Sequence, residues 1–477
     1  MSVTTGSIGT ADIPASSPSL HGLDGVNFFL AALLAGFGPY VAAYLAEQKW
    51  TQADIGFVLT ASSVAGLLSQ VPSGELLDRV RSKRALVAVG VGIVILSALV
   101  IALRPSFLLV SIALVLQGMT GGFLGPAIAA ISLGLVGYSA LAERLGRNQR
   151  FASTGALVGA GLMGLVGYLL SYQAIFVVAA ALGLPLFAAL SWIRAADIHF
   201  GQSCGAPDHH GPEQPPRIRR RALWQDSRLL VFSVCLFLFQ LANASVLPLA
   251  GEALIHESQT GSSLIISALI IVPQILVALM APWAGRRAQS WGRRPLLLIG
   301  FAALPIRALC FALISDPLLL VGVQVLDGIS ATVLGVLTAL VIADITSGTG
   351  RFNLAQGIVG TASGIGASLS TTLSGLVAER LGSGAGFSCI AATALLATIV
   401  VLIFMPETRP QTTRSGGTSP SGQSRRRNGS NSHNGAHHGV QSSSRSASDI
   451  HSPGSDDPDQ RVGRADQMAE RKRPIFP

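Results

Sequence analysis

A chain of 477 residues is long enough for several soluble domains, but its composition excludes that class. Half of the residues are hydrophobic and only 12% are charged, whereas soluble proteins carry about 25% charged residues. The charges crowd into short connectors and both termini, which leaves apolar runs of about 20 residues, long enough to cross a bilayer as helices. The sequence therefore predicts an all-α polytopic membrane protein.

The net charge of +9 does not indicate a nucleic-acid partner. The excess of Lys and Arg lies in connectors and tails, where it sets the orientation of a membrane protein. The four cysteines show no metal-type spacing, and the nine histidines fall outside the apolar runs. No phosphate-binding G-x-x-x-x-G-K-[ST] occurs. These patterns predict no metal, no cofactor and no enzyme activity.

The apolar runs predict twelve spans in two groups of six, separated by a polar segment and followed by a polar tail. The spans are predicted at 25–46, 53–73, 85–103, 107–136, 151–171, 173–193, 229–250, 263–284, 295–314, 317–343, 354–377 and 386–405. The predicted domains are an N-terminal tail (1–22), a first six-helix bundle (23–194), a central linker (195–226), a second six-helix bundle (227–409) and a disordered tail (410–477).

Alternate connectors differ in their content of Lys and Arg, which predicts the orientation. One side carries the basic connector around Arg79, the basic central linker and the basic connector around Arg293, whereas the other carries more acids, such as Glu252 and Asp316. The basic side is predicted to be cytoplasmic. We therefore expect both termini in the cytoplasm and the chain in the inner (plasma) membrane.

A charged connector occurs twice. The sequence G-E-L-L-D-R-V-R-S-K-R begins at Gly74, and G-R-R-A-Q-S-W-G-R-R begins at Gly285, which is 285 − 74 = 211 positions later. A second pair of similar stretches surrounds Gly118 and Gly328, at an offset of 328 − 118 = 210. Two six-span halves that repeat one pattern are typical of secondary transporters.

The two connectors resemble a motif of the major facilitator superfamily, G-x-x-x-D-[RK]-x-G-[RK]-[RK], and Pro406–Arg409 resembles the family's P-E-[ST]-[KR] ending. The resemblance covers about residues 24–409 and is closest to the bacterial twelve-span type. It implies two pseudo-symmetric six-helix bundles. In the second connector Gln289 replaces the acid. The positions that match the motif are Gly74, Asp78, Arg79 and Lys83 in the first half and Gly285, Gly292, Arg293 and Arg294 in the second.

The resemblance implies a gating role for the first connector. Asp78 would contact the N-terminus of the eleventh span and hold the cytoplasmic side shut, and Gly74 would let two helices approach closely. The alternative is that the bases only set the orientation, which leaves the fixed acid unexplained. The second connector lacks the acid, so we expect its main role to be orientation.

Two charges fall inside spans of the second half, Arg307 in the ninth and Asp327 in the tenth. An unpaired carboxylate at that depth costs on the order of 3 kcal/mol, so an intramembrane acid is a functional candidate. Both residues lie at a similar predicted depth, which predicts an ion pair. Two interpretations stay open: a structural salt bridge, or a carboxylate at which a proton or solute competes with Arg307.

Polar side chains in other spans are candidates for a central cavity. Each alone is explained by hydrogen bonds between helices, but together they predict a neutral-to-acidic solute site around Asp327. The candidates are Asn27, Gln117, Gln240, Asn243, Gln274 and Gln324.

The leading hypothesis is a secondary active transporter of a small organic solute, working by alternating access as a monomer in the lipid bilayer. Proton coupling and efflux are favoured, although the fifth span lacks the Gly-Pro of the antiporter motif that the family's drug exporters carry. Uptake by symport is the alternative within transport. A membrane sensor or scaffold with the same fold is the alternative from another class.

Overall fold

Inside a bilayer the backbone N–H and C=O groups find no water, so a long apolar run must satisfy them within a helix. The computed structural model describes residues 16–206, 220–250, 262–314 and 316–409. Within these ranges every long element is a helix and no residue lies in a strand. The disordered tail predicted at 410–477 and most of the N-terminal tail lie outside the described residues.

The helices follow the chain in one continuous order, with a single turn of 3₁₀ helix at Ala195–Asp197. In chain order they are α1 (Ser17–Leu34), α2 (Gly38–Glu47), α3 (Gln52–Arg79), α4 (Lys83–Leu103), α5 (Phe107–Leu169), α6 (Tyr172–Ala181), α7 (Gly183–Trp192), α8 (Phe200–Ser203), α9 (Arg220–Trp224), α10 (Ser227–Asn243), α11 (Ser262–Trp291), α12 (Arg293–Leu313), α13 (Pro317–Thr346), α14 (Phe352–Leu381) and α15 (Ser383–Phe404).

Among the described residues, nine helical stretches are long and apolar enough to cross a membrane. One of them, Phe107–Leu169, contains both the fourth and the fifth predicted span. It is not one straight helix, because Gly137 has a φ of +64° and breaks the helical geometry. The all-α membrane fold is confirmed, and the exact count of twelve spans stays a prediction.

Two predicted spans differ from that set of nine. The first is two helices, α1 and α2, separated by a short turn at residues 35–37. The eleventh is α14, which is 30 residues long but rich in Gly and Ser and therefore less apolar. The first helix also begins earlier than predicted, at Ser17, because Pro18 fits the first turn and Gly22 packs against the Ala189 carbonyl.

Among the described residues, two large hydrophobic cores occupy the two halves of the chain, and a smaller cluster around Met163 and Ile175 adds to the first half. The first is built from α1, α2, α3, α4, α6 and α7 together with the beginning of α5. The second is built from α10 to α15 and also takes in residues of α5 on both sides of Gly137, such as Leu133 and Leu145. The most extensive contacts between the halves are those of α3 with α14 and of α5 with α11, and α5 also contacts α13 and α14.

Candidate functional site

The end of the helix bundle where α3 and α11 finish carries both charged connectors, and we call it the motif end. A Cβ placed on Gly74 would lie 2.3 Å from the Asn353 carbonyl oxygen. A Cβ on Gly285 would lie 2.4 Å from the Ala142 carbonyl oxygen. The contacted residues are 353 − 142 = 211 positions apart, the same offset as the two glycines. Gly74 and Gly285 therefore each let their helix touch the backbone of a helix in the other half.

The same crossing continues one turn into each helix pair. A Cβ on Gly357 of α14 would lie 2.4 Å from the Gln70 carbonyl oxygen of α3. A Cβ on Gly146 of α5 would lie 2.5 Å from the Ala281 carbonyl oxygen of α11. Both offsets are again 211 (357 − 146 and 281 − 70). The backbone approach between the halves is thus duplicated residue by residue.

Asp78 lies fully buried against the first turn of α14. Its Oδ1 accepts from the Asn353 backbone N–H at 3.1 Å and from the Asn353 side-chain amide at 2.9 Å. Its Oδ2 accepts from the Leu354 backbone N–H at 3.0 Å. The N–H groups in the first turn of a helix have no partner within the helix, and the helix dipole favours a negative charge there. The carboxylate therefore caps a helix of the opposite half.

The two matched bases of the first connector lie in different environments. Lys83 is fully buried, and its ammonium donates to the carbonyls of Leu77 and Val80. Arg79 is 61% exposed and pairs with Glu75, four residues earlier on the same helix, at 2.5 Å. Lys83 is thus buried within the first connector, whereas Arg79 is an exposed base that pairs with a buried acid of its own helix.

The second connector makes a different polar contact with the other half. Gln289, at the position of Asp78, donates its side-chain amide to the Ser139 carbonyl at 2.8 Å. The buried Arg293 pairs with Asp344 at 2.8 Å and donates to the Ala288 carbonyl at 2.6 Å. The prediction that this connector mainly sets the orientation did not include a contact with the other half. Gly285 approaches Ala142 and Gln289 bonds to Ser139, and both contacted residues lie just after the break in α5.

The P-E-T-R ending closes the N-terminus of α12. Gly292 precedes that helix with a φ of +96° and has no side chain to cap it. Glu407 supplies the cap instead, because its carboxylate accepts from the backbone N–H groups of Arg293 at 2.8 Å and Arg294 at 3.0 Å. Burial raises the pKa of Glu407, but the N–H donors of Arg293, Arg409 and Arg294 outweigh it and hold the pKa below its ordinary value.

Four of the predicted cavity residues meet at one charge cluster. The Arg307 Nη1 lies 2.6 Å from the Asp327 Oδ1 and donates to the Asn243 Oδ1 at 2.9 Å. The Arg307 Nε donates to the Gln324 Oε1 at 2.8 Å, and the Gln324 amide donates to the Leu269 carbonyl at 2.7 Å. The cluster thereby connects α10, α11, α12 and α13.

The two charges of this cluster differ in exposure. The Arg307 side chain is 1% exposed and the Asp327 side chain 17% exposed. The Asp327 Oδ2 accepts no hydrogen bond from any residue in the described ranges, whereas the Oδ1 is held by Arg307. One carboxylate oxygen is therefore available to a proton or a solute.

The other predicted cavity residues do not join the cluster. Gln240 lines a separate cavity of about 240 Å³ near the motif end. Asn27 is buried and donates to the Leu23 carbonyl of its own helix at 2.7 Å. Gln117 and Gln274 are half-buried, and neither side chain makes a hydrogen bond to a described residue. The cavity around Gln240 also includes Pro126, Leu236, Phe239, Leu334, Thr338, Ile342, Gln356, Val359, Gly360 and Ser363.

A buried ion pair in the first half was missed by the sequence reasoning. Asp24 accepts from Arg144 at 2.6 Å and from Arg147 at 2.6 Å, and the side chains of Asp24 and Arg144 are each 5% exposed. Arg144 also donates to the Asn148 Oδ1 at 2.8 Å. The available signal was Asp24 itself, a single acid at the start of the first apolar run, which has no obvious partner until the fold brings α1 against α5.

Comparisons with known proteins agree with this architecture. The family model for the Major Facilitator Superfamily matches residues 23–244 and 232–447. An uncharacterized MFS-type transporter of Mycobacterium tuberculosis (strain CDC 1551 / Oshkosh) is 37% identical over 390 residues, which cover 81% of this chain and 93% of that protein. The quinolone resistance protein NorA of Staphylococcus aureus is 24% identical over 162 residues, 34% of this chain and 41% of NorA. The crystal structure of the MFS transporter FucP in the outward conformation is similar with a TM-score of 0.65 at 14% identity, over 80% of this chain and 97% of that one.

Proposed function

Because this chain belongs to the Major Facilitator Superfamily, a family of membrane transporters and not of enzymes, we propose that it exports a small organic solute by proton-coupled alternating access. The cytoplasmic membrane is its proposed location, with both termini and the motif end in the cytoplasm. In this proposal the two halves rock about a central site.

The observation that carries the proposal is the carboxylate of Asp327, of which only one oxygen accepts a hydrogen bond from a described residue. An acid inside a membrane-spanning helix is costly to insert, so such acids are usually paired and mark pathways of solutes or protons. Here the Oδ1 is paired with Arg307 while the Oδ2 has no partner among the described residues. A proton on Asp327 removes the charge that holds Arg307, and Arg307 also holds Asn243 and Gln324. Protonation would therefore loosen contacts between three helices at once, which biases the conformational equilibrium.

The cavity near the motif end supports a solute with hydrogen-bonding groups and no requirement for a fixed charge. Its polar side chains are amides and hydroxyls, from Gln240, Gln356, Thr338 and Ser363, among apolar neighbours. A volume of about 240 Å³ suits a small organic molecule or part of one. The likeness to NorA, whose name refers to quinolone resistance, favours efflux over uptake.

The contacts at the motif end support a gate. Asp78 caps α14 across the boundary between the halves, and Gly74 and Gly285 bring both crossing pairs to backbone contact. In the proposed cycle the described arrangement is the state that is closed at the cytoplasmic end. Opening toward the cytoplasm would break the Asp78 cap and separate both helix pairs.

Flux into proteoliposomes with and without a pH gradient tests the role of Asp327. The probes are a quinolone and a panel of neutral and cationic organic compounds. We expect the unaltered protein to move at least one probe faster with the gradient, and Asp327→Asn to lose the gradient-driven part while it still folds. Asp316→Asn is the control, because Asp316 caps the start of the same helix, accepting from the Leu318 N–H at 2.8 Å, outside the cluster. Gradient-driven flux that is unchanged in Asp327→Asn would overturn the proposal.

A further inference from the structure

The first part of the central linker packs against the first connector and the start of α14. We call residues Phe200–Ala206 the linker clasp; they comprise α8 and the turn that follows it. The clasp joins the first half of the chain at its beginning and runs toward the second. Ser203, Cys204 and Gly205 are all buried.

On one side the clasp packs against the first half. The His199 N–H, just before the clasp, donates to the Gly134 carbonyl at 3.0 Å. The Phe200 ring lies under the Lys83 ammonium, 4.9 Å from its centroid, and the same ammonium lies 3.5 Å from the Cys204 sulfur. The Cys204 thiol donates to the backbone carbonyl of Asp78 at 3.4 Å. The two charged motif residues Asp78 and Lys83 are thus covered by the clasp.

On the other side the clasp binds the start of α14. The Phe352 N–H donates to the Cys204 carbonyl at 3.0 Å, and the Asn353 side chain donates to the Ser203 carbonyl at 3.1 Å. The first three N–H groups of α14 are therefore shared between two acceptors. Cys204 takes the N–H of Phe352, and Asp78 takes those of Asn353 and Leu354. The clasp completes the cap that Asp78 begins.

Gly205 fits this contact because it has no side chain. Its φ is +78°, and a Cβ would lie 3.1 Å from the Phe352 Cβ and 3.3 Å from the Thr346 carbonyl oxygen. Gly348 has nearly the same backbone angle, +79°, but a Cβ there would meet no atom within 4 Å. The chain therefore contains a pair of glycines that share nearly the same positive φ, of which only Gly205 is buried against other atoms.

We propose that the linker clasp is a further gate element of this transporter, holding the motif end shut by bonding to α14 and releasing α14 when the halves separate there. This rests on the transport function proposed above. The clasp stays with the first half during opening, because His199 and Phe200 tie it to α5 and Lys83. The bonds that must break are those of Ser203 and Cys204 to α14 and that of the Gly205 carbonyl to the Gly350 N–H, and Cys204 then becomes accessible.

Cys204 provides a direct readout of the clasp. Burial raises the pKa of its thiol above the ordinary value, so a closed clasp keeps the thiol both covered and protonated. Replacement of Cys235, Cys310 and Cys389 by Ala leaves Cys204 as the single thiol. The rate at which a maleimide labels that protein, without any solute, measures opening of the clasp independently of transport.

The test compares Gly205→Val with Gly348→Val in the single-thiol protein. Since opening governs labelling of a buried group, we expect Gly205→Val to label about tenfold faster or more and Gly348→Val to stay within about twofold of the parent. Phe200→Leu, which removes the ring beneath Lys83, is a second variant in case Gly205→Val fails to fold, and it should raise the rate in the same direction. Asp78→Asn should raise it as well.

Equal acceleration by Gly205→Val and Gly348→Val would overturn the clasp, because it would assign the effect to backbone strain alone. Fast labelling of the unaltered clasp, at the rate of unfolded protein, would overturn it too. The two proposals fail separately. Normal gradient-driven flux with no labelling difference removes the clasp and keeps the transporter, whereas the expected labelling with no flux of any probe removes the transport proposal and keeps the contact.

Discussion

The two charged connectors pack alike and bond differently. Gly74 and Gly285 bring their helices to the same distance from a carbonyl of the other half, 2.3 and 2.4 Å for a Cβ. Four residues later, the first connector has Asp78, which accepts three hydrogen bonds from α14, and the second has Gln289, which donates one to Ser139. The close approach of the halves is therefore duplicated at the two connectors, whereas only the first connector caps a helix of the other half with a carboxylate.

The helix that follows each connector shows a second difference. Ser82 caps α4 with its own hydroxyl, which accepts from the Ala85 N–H at 3.3 Å. Gly292 cannot cap α12, so Glu407 reaches back from the end of the described chain. The acid of the first connector therefore contacts the other half, whereas Arg293 of the second connector is held by Glu407 and Asp344 of its own half. We infer that the first connector supplies the contact that locks the motif end, and that Glu407 and Asp344 hold the second connector to the start of α12.

The largest effect is expected from breaking the charged cap. Asp78→Asn keeps the shape but turns one acceptor into a donor that faces the N–H groups of Asn353 and Leu354. Hydrogen bonds to charged groups contribute about 1.5–3 kcal/mol each, so the closed state should lose about 3 kcal/mol or more. Flux should fall more than tenfold, whereas Gln289→Ala should cost about twofold or less because it removes one bond between neutral groups. Similar losses in both variants would show that the two connectors act as equals.

An intermediate and equal effect is expected from the glycines. A methyl group at Gly74 or at Gly285 would fall within 2.4 Å of a carbonyl oxygen, so each crossing must open slightly. Overpacking of this kind costs about 1–3 kcal/mol. Gly74→Ala and Gly285→Ala should therefore lower the thermal unfolding temperature in detergent by similar amounts. Gly56→Ala, on the same helix as Gly74 but with no atom within 4 Å of its Cβ, should not lower it. Unequal shifts of the unfolding temperature would mean that the two crossings, although alike in geometry, contribute differently to stability.

Features that depend on local sequence patterns could be predicted. The helices follow from the apolar runs, and the two charged connectors follow from the repeat at an offset of 211. Arg307 and Asp327 could be paired because both charges stand out against apolar surroundings at a similar depth. The division of the first predicted span into α1 and α2 was missed, because the run stays apolar throughout, although Gly36, Gly38 and Pro39 mark a helix break within it.

Contacts between distant parts of the chain could not be predicted. Asp24 meets Arg144 across 120 positions, and Glu407 meets Arg293 across 114. Each of these residues alone is consistent with a charge at the end of a span. The linker clasp was hidden for the same reason, since Cys204 and Gly205 occur in a stretch whose composition suggests only a connector. Of the polar cavity candidates, Gln324 and Asn243 join Arg307 while Gln117 does not, and only the packing of the helices decides this.

The smallest effect, and the one that separates the two helix caps, is expected at Glu407. The folded protein holds the pKa of this carboxylate below its ordinary value of 4.5, so the ionised form favours the fold. Its contribution is complete above the pKa of the unfolded chain and is lost as the pH falls through the lower, folded pKa. Glu407→Gln keeps an acceptor but removes the charge and should cost about 1 kcal/mol at neutral pH, as the loss of a good helix cap does. Thermal unfolding of both proteins between pH 7 and about pH 3 measures this. The difference in stability between them should be present at neutral pH and shrink only below about pH 4.5, where Glu407 begins to bind a proton.

The corresponding cap in the first half, the hydroxyl of Ser82, does not titrate in this range, so Ser82→Ala should differ in stability from the parent by the same amount at every pH. If the stability difference between Glu407→Gln and the parent is also independent of pH, the charge of the carboxylate does not contribute to the cap. The second half would then not be stabilised by its own acids in the way that its geometry indicates.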